Sequence, residues 1–149
     1  MKKFSYTIAT FFYIGRFPFG PGTLASFISL PIFYLILKKI LLYIILLTVI
    51  IIVGVLSSRS VAMESKDNDP SYVVIDEVAG MGVSLLFAPQ NILYIAVAFI
   101  LFRILDIFKL PFIKKVEHIG NGIGIMLDDI LSGAITLIIM VIVHRFGIV

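Results

Sequence analysis

The sequence predicts an all-α fold, a helical integral membrane bundle with kinked or re-entrant short helices. Two observations carry this expectation. Of the 149 residues, 60% are hydrophobic and only 14% are charged, with a mean hydropathy of +1.14. A soluble domain is usually about 45–50% apolar and about 25% charged, so the polar side chains are too few to cover a water-facing globule. The apolar residues are also gathered into four uncharged runs, separated by turns and charged segments.

At the N-terminus Lys2-Lys3 could open a signal peptide. The apolar run that follows reaches Arg16, Pro18 and Pro21 without a small-x-small cleavage site, so the mature chain is expected to begin near Met1, in the cytoplasm. Phe17–Leu37 is uncharged for 21 residues but contains Pro18, Gly20, Pro21, Gly22 and Pro31. Proline breaks the helical hydrogen-bond ladder, which predicts a turn and then a kinked or short helix. Ile40–Ser58, uncharged for 19 residues, is the clearest spanning helix, since about 20 apolar residues are needed to cross. Ser57–Ser71, with Arg59, Glu64, Lys66, Asp67, Asn68, Asp69 and Pro70, reads as the one plainly solvated loop.

Val78–Phe102 is uncharged for 25 residues, but Ala88-Pro89-Gln90-Asn91 splits it. Two helices with a tight turn, or a half-length helix that re-enters, are expected. Ile130–Val143 is 14 uncharged residues closed by His144 and Arg145. At 1.5 Å per residue it covers only about 21 Å of a roughly 30 Å hydrocarbon core. Asp128 and Asp129, just before it, are therefore expected near one interface. His144 is expected to anchor the chain end. The whole chain, 1–149, reads as a single membrane-embedded domain.

Lys2-Lys3, Arg59, Lys66, Lys109 and Lys114-Lys115 can all lie on the cytoplasmic side. Lys38-Lys39 then falls on the opposite side if both flanking helices cross. Either the positive-inside tendency is violated there or the Pro31 helix does not cross fully. The net charge of +3 fits contact with an anionic leaflet. The basic residues are scattered, which gives no indication of nucleic acid. With no cysteine, disulfides, thiolate zinc sites and cysteine nucleophiles are excluded. The two histidines, His118 and His144, are too few for a histidine-based lipid phosphatase, and no G-x-S-x-G elbow supplies a serine nucleophile.

Five of the nine acidic residues stand in apolar surroundings: Asp76-Glu77 in YVVIDEVAGM, Asp106 in FILFRILDIFK and Asp128-Asp129 in GIGIMLDDILSG. An ionised carboxylate at mid-membrane costs about 2.5–3.5 kcal/mol on insertion scales. These residues are best explained if they converge on a cation. An all-oxygen ligand set favours a hard ion, Mg²⁺ first. The plainer alternative is that each pairs locally or faces water, as Arg103 and Asp106 can at i,i+3. Arg103, Asp106 and Lys109 advance by three and form a helical ridge, and their cations suit phosphate oxygens. Lys109 alone would read as a residue snorkelling from a helix end. Two glycine-rich turns, around Gly20–Thr23 and Gly120–Gly124, lead into helices whose first N–H groups can receive an anion, with Thr23 a candidate N-cap. His118 alone reads as a hydrogen-bonded bystander.

GRFPFGPGTLASFISLP, YVVIDEVAGM, FRILDIFKLPFI and GIGIMLDDILSG, in this order and spacing, closely resemble the phosphatidylglycerophosphatase A family. The likeness covers roughly Gly15 to Gly133. It implies an all-helical Mg²⁺-dependent membrane phosphatase that converts phosphatidylglycerophosphate to phosphatidylglycerol and phosphate. The site is expected to face the cytoplasm at the cell (inner) membrane, because a charged headgroup is not drawn cheaply to mid-membrane and Lys109, Lys114 and Lys115 favour that face. The matching motif positions are Pro21, Gly22, Thr23 and Ser26; Asp76, Glu77, Gly80 and Met81; Arg103, Asp106 and Lys109; and Gly122, Gly124, Met126, Asp128, Asp129 and Gly133. Lys109-Leu110-Pro111-Phe112-Ile113 departs from the family's Lys-Pro-x-Pro-Ile. Glu117 fills the place of an acidic family residue, and Ala25 stands where glycine is common.

The expected roles follow. Asp76, Glu77, Asp128 and Asp129 hold Mg²⁺ directly or through water, with Asp76, Asp106 and Asp129 the catalytic candidates and Asp106 either a further ligand or the base. Arg103, Lys109 and Thr23 bind phosphate or the adjoining headgroup. Two rivals are a carrier or ion-relay subunit using intramembrane carboxylates, and a lipid-headgroup transferase. A relay would spread its acids through the membrane depth, whereas these border helix ends and loops.

Overall fold

The computed structural model describes residues 3–67, 69–108 and 123–147. Among these there are six α-helices, one 3-10 turn and no strand. The helices are α1 (Lys3–Ala9), α2 (Pro21–Ile36), α3 (Ile40–Ser65), α4 (Ile75–Ser84), α5 (Ile92–Phe108) and α6 (Ile123–Arg145). The all-α expectation holds. Among the described residues, α3 and α6 are the helices long and apolar enough to cross a membrane. The 16-residue α2 is about 24 Å long and the 10-residue α4 about 15 Å, both shorter than the hydrocarbon core.

The surface is inverted relative to a water-soluble bundle. Ile40, Leu41, Leu42, Ile44, Ile45, Val49, Ile52 and Leu56 of α3 are exposed, while Ser26, Ser29, Ser58, Ser84, Ser132 and Thr136 are fully buried. An apolar patch of this extent needs lipid to cover it. Small polar residues at helix contacts let backbones approach, and the hydroxyls of Ser26, Ser29, Ser84 and Thr136 bond within their own helices. Ser26 donates to the Gly22 carbonyl, Ser84 to Gly80 and Thr136 to Ser132, each at 2.9 Å.

Helix α4 is the hub: eight of its ten residues are buried, against α2, α3, α5 and α6. Its N-terminus is tied to the end of α1 by the Val74 N–H on the Ala9 carbonyl, 2.9 Å. Its C-terminal turn is held by Tyr43 of α3, whose hydroxyl donates to the Gly82 carbonyl at 2.6 Å. The crossing with α6 is made on glycines. A Cβ on Gly133 would run into the Gly80 carbonyl oxygen, and one on Gly80 would stand 2.7 Å from the Asp129 carbonyl oxygen. Gly133→Ala is therefore expected to destabilise the protein by about 1–3 kcal/mol through overpacking, read as a lower thermal midpoint in detergent. An unchanged midpoint would show that the helices can part freely.

Three boundaries differ from the sequence reading. Ser57–Ser65 is the last part of α3, not loop. It contains no glycine or proline, and Ser57, Ser58, Val61 and Ala62 face the core. The helix stops at Lys66, which takes a left-handed conformation at φ 59°. Thr23 is not the N-cap of α2. That place is taken by Gly20 at φ 56°, followed by Pro21 as the first helical residue, where a missing N–H costs nothing. Helix α6 begins at Ile123, so Ile123 and Gly124 belong to the helix rather than to the turn before it, and Asp128 and Asp129 lie in its second turn, about 8–9 Å along it. The division of Val78–Phe102 into α4 and α5 matches the two-helix reading. His144 is exposed, with its ring edge-on to Tyr94 at 5.7 Å between centroids.

Candidate active site

The glycine crossing sets the site. Gly80 lies one turn beyond Asp76 on α4, and Gly133 one turn beyond Asp129 on α6. Backbones that touch at the glycines bring the preceding carboxylates to the same level. One oxygen from each of Asp76, Glu77 and Asp129 lies within 4.8 Å of the other two. Asp76 Oδ1, Glu77 Oε2 and Asp129 Oδ2 are buried and accept no hydrogen bond. Asp128 is buried beside them, and its Oδ1 accepts the Asp129 N–H at 3.0 Å. It stands outside the tight trio but acts electrostatically on Asp76.

Helix α5 supplies the cation. Arg103 Nη1 pairs with Asp106 Oδ2 at 2.6 Å and donates to Ser26 Oγ of α2 at 3.4 Å. Its Nε is buried without an acceptor. The ion pair at i,i+3 is thus real, yet it belongs to the cluster, since Arg103 and Asp106 both act on Glu77 and Asp106 acts on Asp129. The first turn of α2 closes another side: a side chain on Gly22 would collide with the Glu77 carboxylate. Thr23 is exposed beside it. Lys109, Glu117, His118 and most of the Gly120–Gly124 turn lie outside the described residues.

Three buried negative charges this close cannot stand alone. At an effective dielectric of about 20, two unit charges 4.8 Å apart repel by about 3 kcal/mol. Asp76 and Glu77 open the short α4, outside both spanning helices. Burial, and then the neighbouring Glu77 and Asp128 carboxylates, hold Asp76 well above its ordinary range. Burial pushes Glu77 up to about 7. One cation resolves both the repulsion and the unpartnered oxygens. The residues present fit a hard metal ion: the donors are all carboxylate oxygens, brought together by backbone packing, and one oxygen of each carboxylate accepts no hydrogen bond. The arrangement gathers the acids in one place, unlike a relay spread through depth.

The link between Ser26 and Arg103 carried no role in the sequence, although Ser26 lies one turn after Gly22. The Tyr43–Gly82 bond left no trace there, because it joins residues 39 apart.

Known proteins align with this chain over nearly its whole length. The family model for phosphatidylglycerophosphatase A matches residues 7–144. A Bacteroides thetaiotaomicron protein named "Putative phosphatidylinositol-3-phosphatase" is 36% identical, covering 91% of this chain and 90% of that protein. A phosphatidylglycerophosphatase A of Escherichia coli is 33% identical, covering 87% and 77% respectively. Another, from Haemophilus influenzae, is 29% identical over 81% and 77%. No solved structure matches. By the family match and these identities, the chain belongs to the phosphatidylglycerophosphatase A family and, by that membership, is a phosphoric monoester hydrolase.

Proposed function

We propose that the chain is a Mg²⁺-dependent phosphatase that hydrolyses phosphatidylglycerophosphate to phosphatidylglycerol and inorganic phosphate, as a single membrane-embedded domain. The observation that carries this reading is the buried Asp76–Glu77–Asp129 trio with three unpartnered oxygens, flanked by Arg103. Asp76, Glu77 and Asp129 would hold Mg²⁺, with Asp128 supporting them. A bound Mg²⁺ supplies charge neutralisation and Lewis-acid polarisation of a phosphoryl oxygen.

The remaining work falls to the chain. Arg103 presents its guanidinium to the phosphate oxygens, and Asp106 holds it in place. The pair at 2.6 Å supports a positioning role for Asp106, and proton transfer would fall to Asp76 or Asp129. The net reaction breaks the bond between phosphorus and the glycerol oxygen. An oxygen from water ends on phosphorus, and the glycerol oxygen leaves with a proton. Lys109 and Thr23 would complete the anion side.

Purified protein in detergent is expected to release phosphate from phosphatidylglycerophosphate, to stop in EDTA and to recover with Mg²⁺. Release that is indifferent to EDTA would sink the metal assignment. The name carried by the Bacteroides relative favours a second arm with phosphatidylinositol 3-phosphate, since both lipids present a phosphomonoester on a diacyl lipid. Faster release from that substrate would move the assignment to it.

The site is proposed to face the cytoplasm at the cell (inner) membrane. A charged headgroup is not drawn cheaply to mid-membrane, and Lys109, Lys114 and Lys115 follow α5. The chain has no cysteine, so Asn121→Cys and Asn68→Cys report cleanly. Both are expected to react with impermeant maleimide only when the cytoplasmic side is exposed. Labelling of Asn121→Cys from outside intact cells would reverse the orientation.

A further inference from the structure

We infer that the seam between α2 and α5 seats an acyl chain of the phosphorylated lipid, with the phosphate held at Arg103 and the carboxylate trio. This rests on the phosphatase reading above and names the part of the substrate that the trio does not touch.

Two clefts lie along this seam and meet at Phe27. One, of about 460 Å³, is lined by Phe17, Phe19, Gly20, Thr23, Leu24, Phe27 and Phe99. The other, of about 320 Å³, is lined by Phe27, Leu30, Pro31, Tyr34, Ile92 and Ile95. On α2 the lining positions advance from Gly20 and Thr23 through Phe27 and Leu30 to Tyr34, which is one face of a helix. The two clefts lie end to end along that face with the Phe27 ring at their junction, and together they make the proposed trough.

Its upper end leads toward the active site. Ser26, next to Phe27, contacts Arg103, and Arg103 stands one turn beyond Phe99 on α5. Phe27 meets Phe99 edge-on with ring centroids 6.0 Å apart. At the lower end Gln90 Nε2 donates to the Tyr34 carbonyl at 3.3 Å. From Thr23 to Tyr34 the helix rises about 16 Å, close to the roughly 15 Å of hydrocarbon in one leaflet.

Chemistry selects the occupant. Apart from Thr23 at the top and Tyr34 at the foot, the lining side chains are apolar, so a chain with no hydrogen-bonding groups fits. Arg103, one turn beyond Phe99 on α5, offers a cation that fits an anionic headgroup. Two other clefts, behind α1 and between α5 and α6, have only apolar lining residues and none from the site. Among these clefts of the described residues, the seam is the one lined by Thr23, a residue of the proposed anion side.

The test uses the full chain in lipid nanodiscs, chelated with EDTA, and phosphatidylglycerophosphate bearing a photoactivatable group midway along one acyl chain. Crosslinks are expected to concentrate at Leu30, Pro31 and Ile95 and to be competed by unlabelled substrate but not by phosphatidylcholine. Even labelling of the outer faces of α3 and α6, or seam labelling that substrate does not compete, would overturn the seam. Kinetics give a second measurement. In Leu30→Trp the preference for a long-chain over a dihexanoyl substrate, as a ratio of kcat/KM, should fall about tenfold, the effect of losing roughly two buried methylenes. An unchanged ratio would also overturn the seam. Phosphate release by the unmodified protein with Mg²⁺ is scored separately. Release with even labelling refutes only the seam, whereas no release from any phosphorylated lipid refutes the phosphatase reading on which it rests.

Discussion

Asp129→Asn is expected to lower phosphate release about a hundredfold or more while the protein still inserts and purifies. Substituting groups that merely orient a metal's ligands already costs about 10–100-fold, and Asp129 is proposed as a ligand itself. Asparagine keeps the shape but removes the charge that a hard cation requires. Stability should move differently from activity. Asp129 is buried with an unpartnered oxygen near Asp76 and Glu77, so neutralising it relieves repulsion, and the variant should unfold in EDTA no earlier than the parent. Mg²⁺ should raise the parent's thermal midpoint, because a ligand at about 100 times its Kd stabilises by about 2.7 kcal/mol. That increment should vanish in Asp129→Asn. A variant with full activity and an intact Mg²⁺ shift would remove Asp129 from the metal site. The parallel change Asp128→Asn, outside the tight trio, should lose less.

How much of this was legible in the sequence follows from the range of the interactions involved. The apolar runs fixed the helices because hydrophobicity is a local property, and Pro89 marked the break between α4 and α5, whereas α2 continues through Pro31 to Ile36. Helix ends were read less well. Ser57–Ser65 is polar by composition, yet continues α3 because its small residues pack inward. Composition alone cannot tell a solvated serine from one at a helix contact. At the site, carboxylates in apolar surroundings were visible because their cost demands a partner. The sequence did not show which of them meet. That depends on Gly80 and Gly133 touching across 53 positions, a contact with no local signal. Asp128 and Asp129 look equivalent in the sequence, but only Asp129 joins Asp76 and Glu77 within 4.8 Å, since neighbours on a helix point about 100° apart.

Arg103→Lys is expected to lose roughly ten- to hundredfold in kcat/KM, although it keeps the charge. Arg103 Nη1 is shared between Asp106 at 2.6 Å and Ser26 at 3.4 Å, while Nε is buried and unpartnered. The guanidinium can hold Asp106 with one edge and offer other N–H groups to phosphate. A lysine ammonium is a point charge on a flexible stem and cannot reproduce that fork. Its strongest local attraction is to Asp106, which draws it from the substrate. Losing one charge-assisted hydrogen bond costs about 1.5–3 kcal/mol, which corresponds to the stated range in rate. Asp106→Asn separates positioning from binding: it frees Arg103 without removing it, and should cost less than Arg103→Lys. If Asp106 acts only through Arg103, the double variant should be little worse than Arg103→Lys alone. Wild-type kinetics in Arg103→Lys would reduce the pair to a structural tie between two turns of α5 and leave phosphate binding to Lys109 and the helix termini.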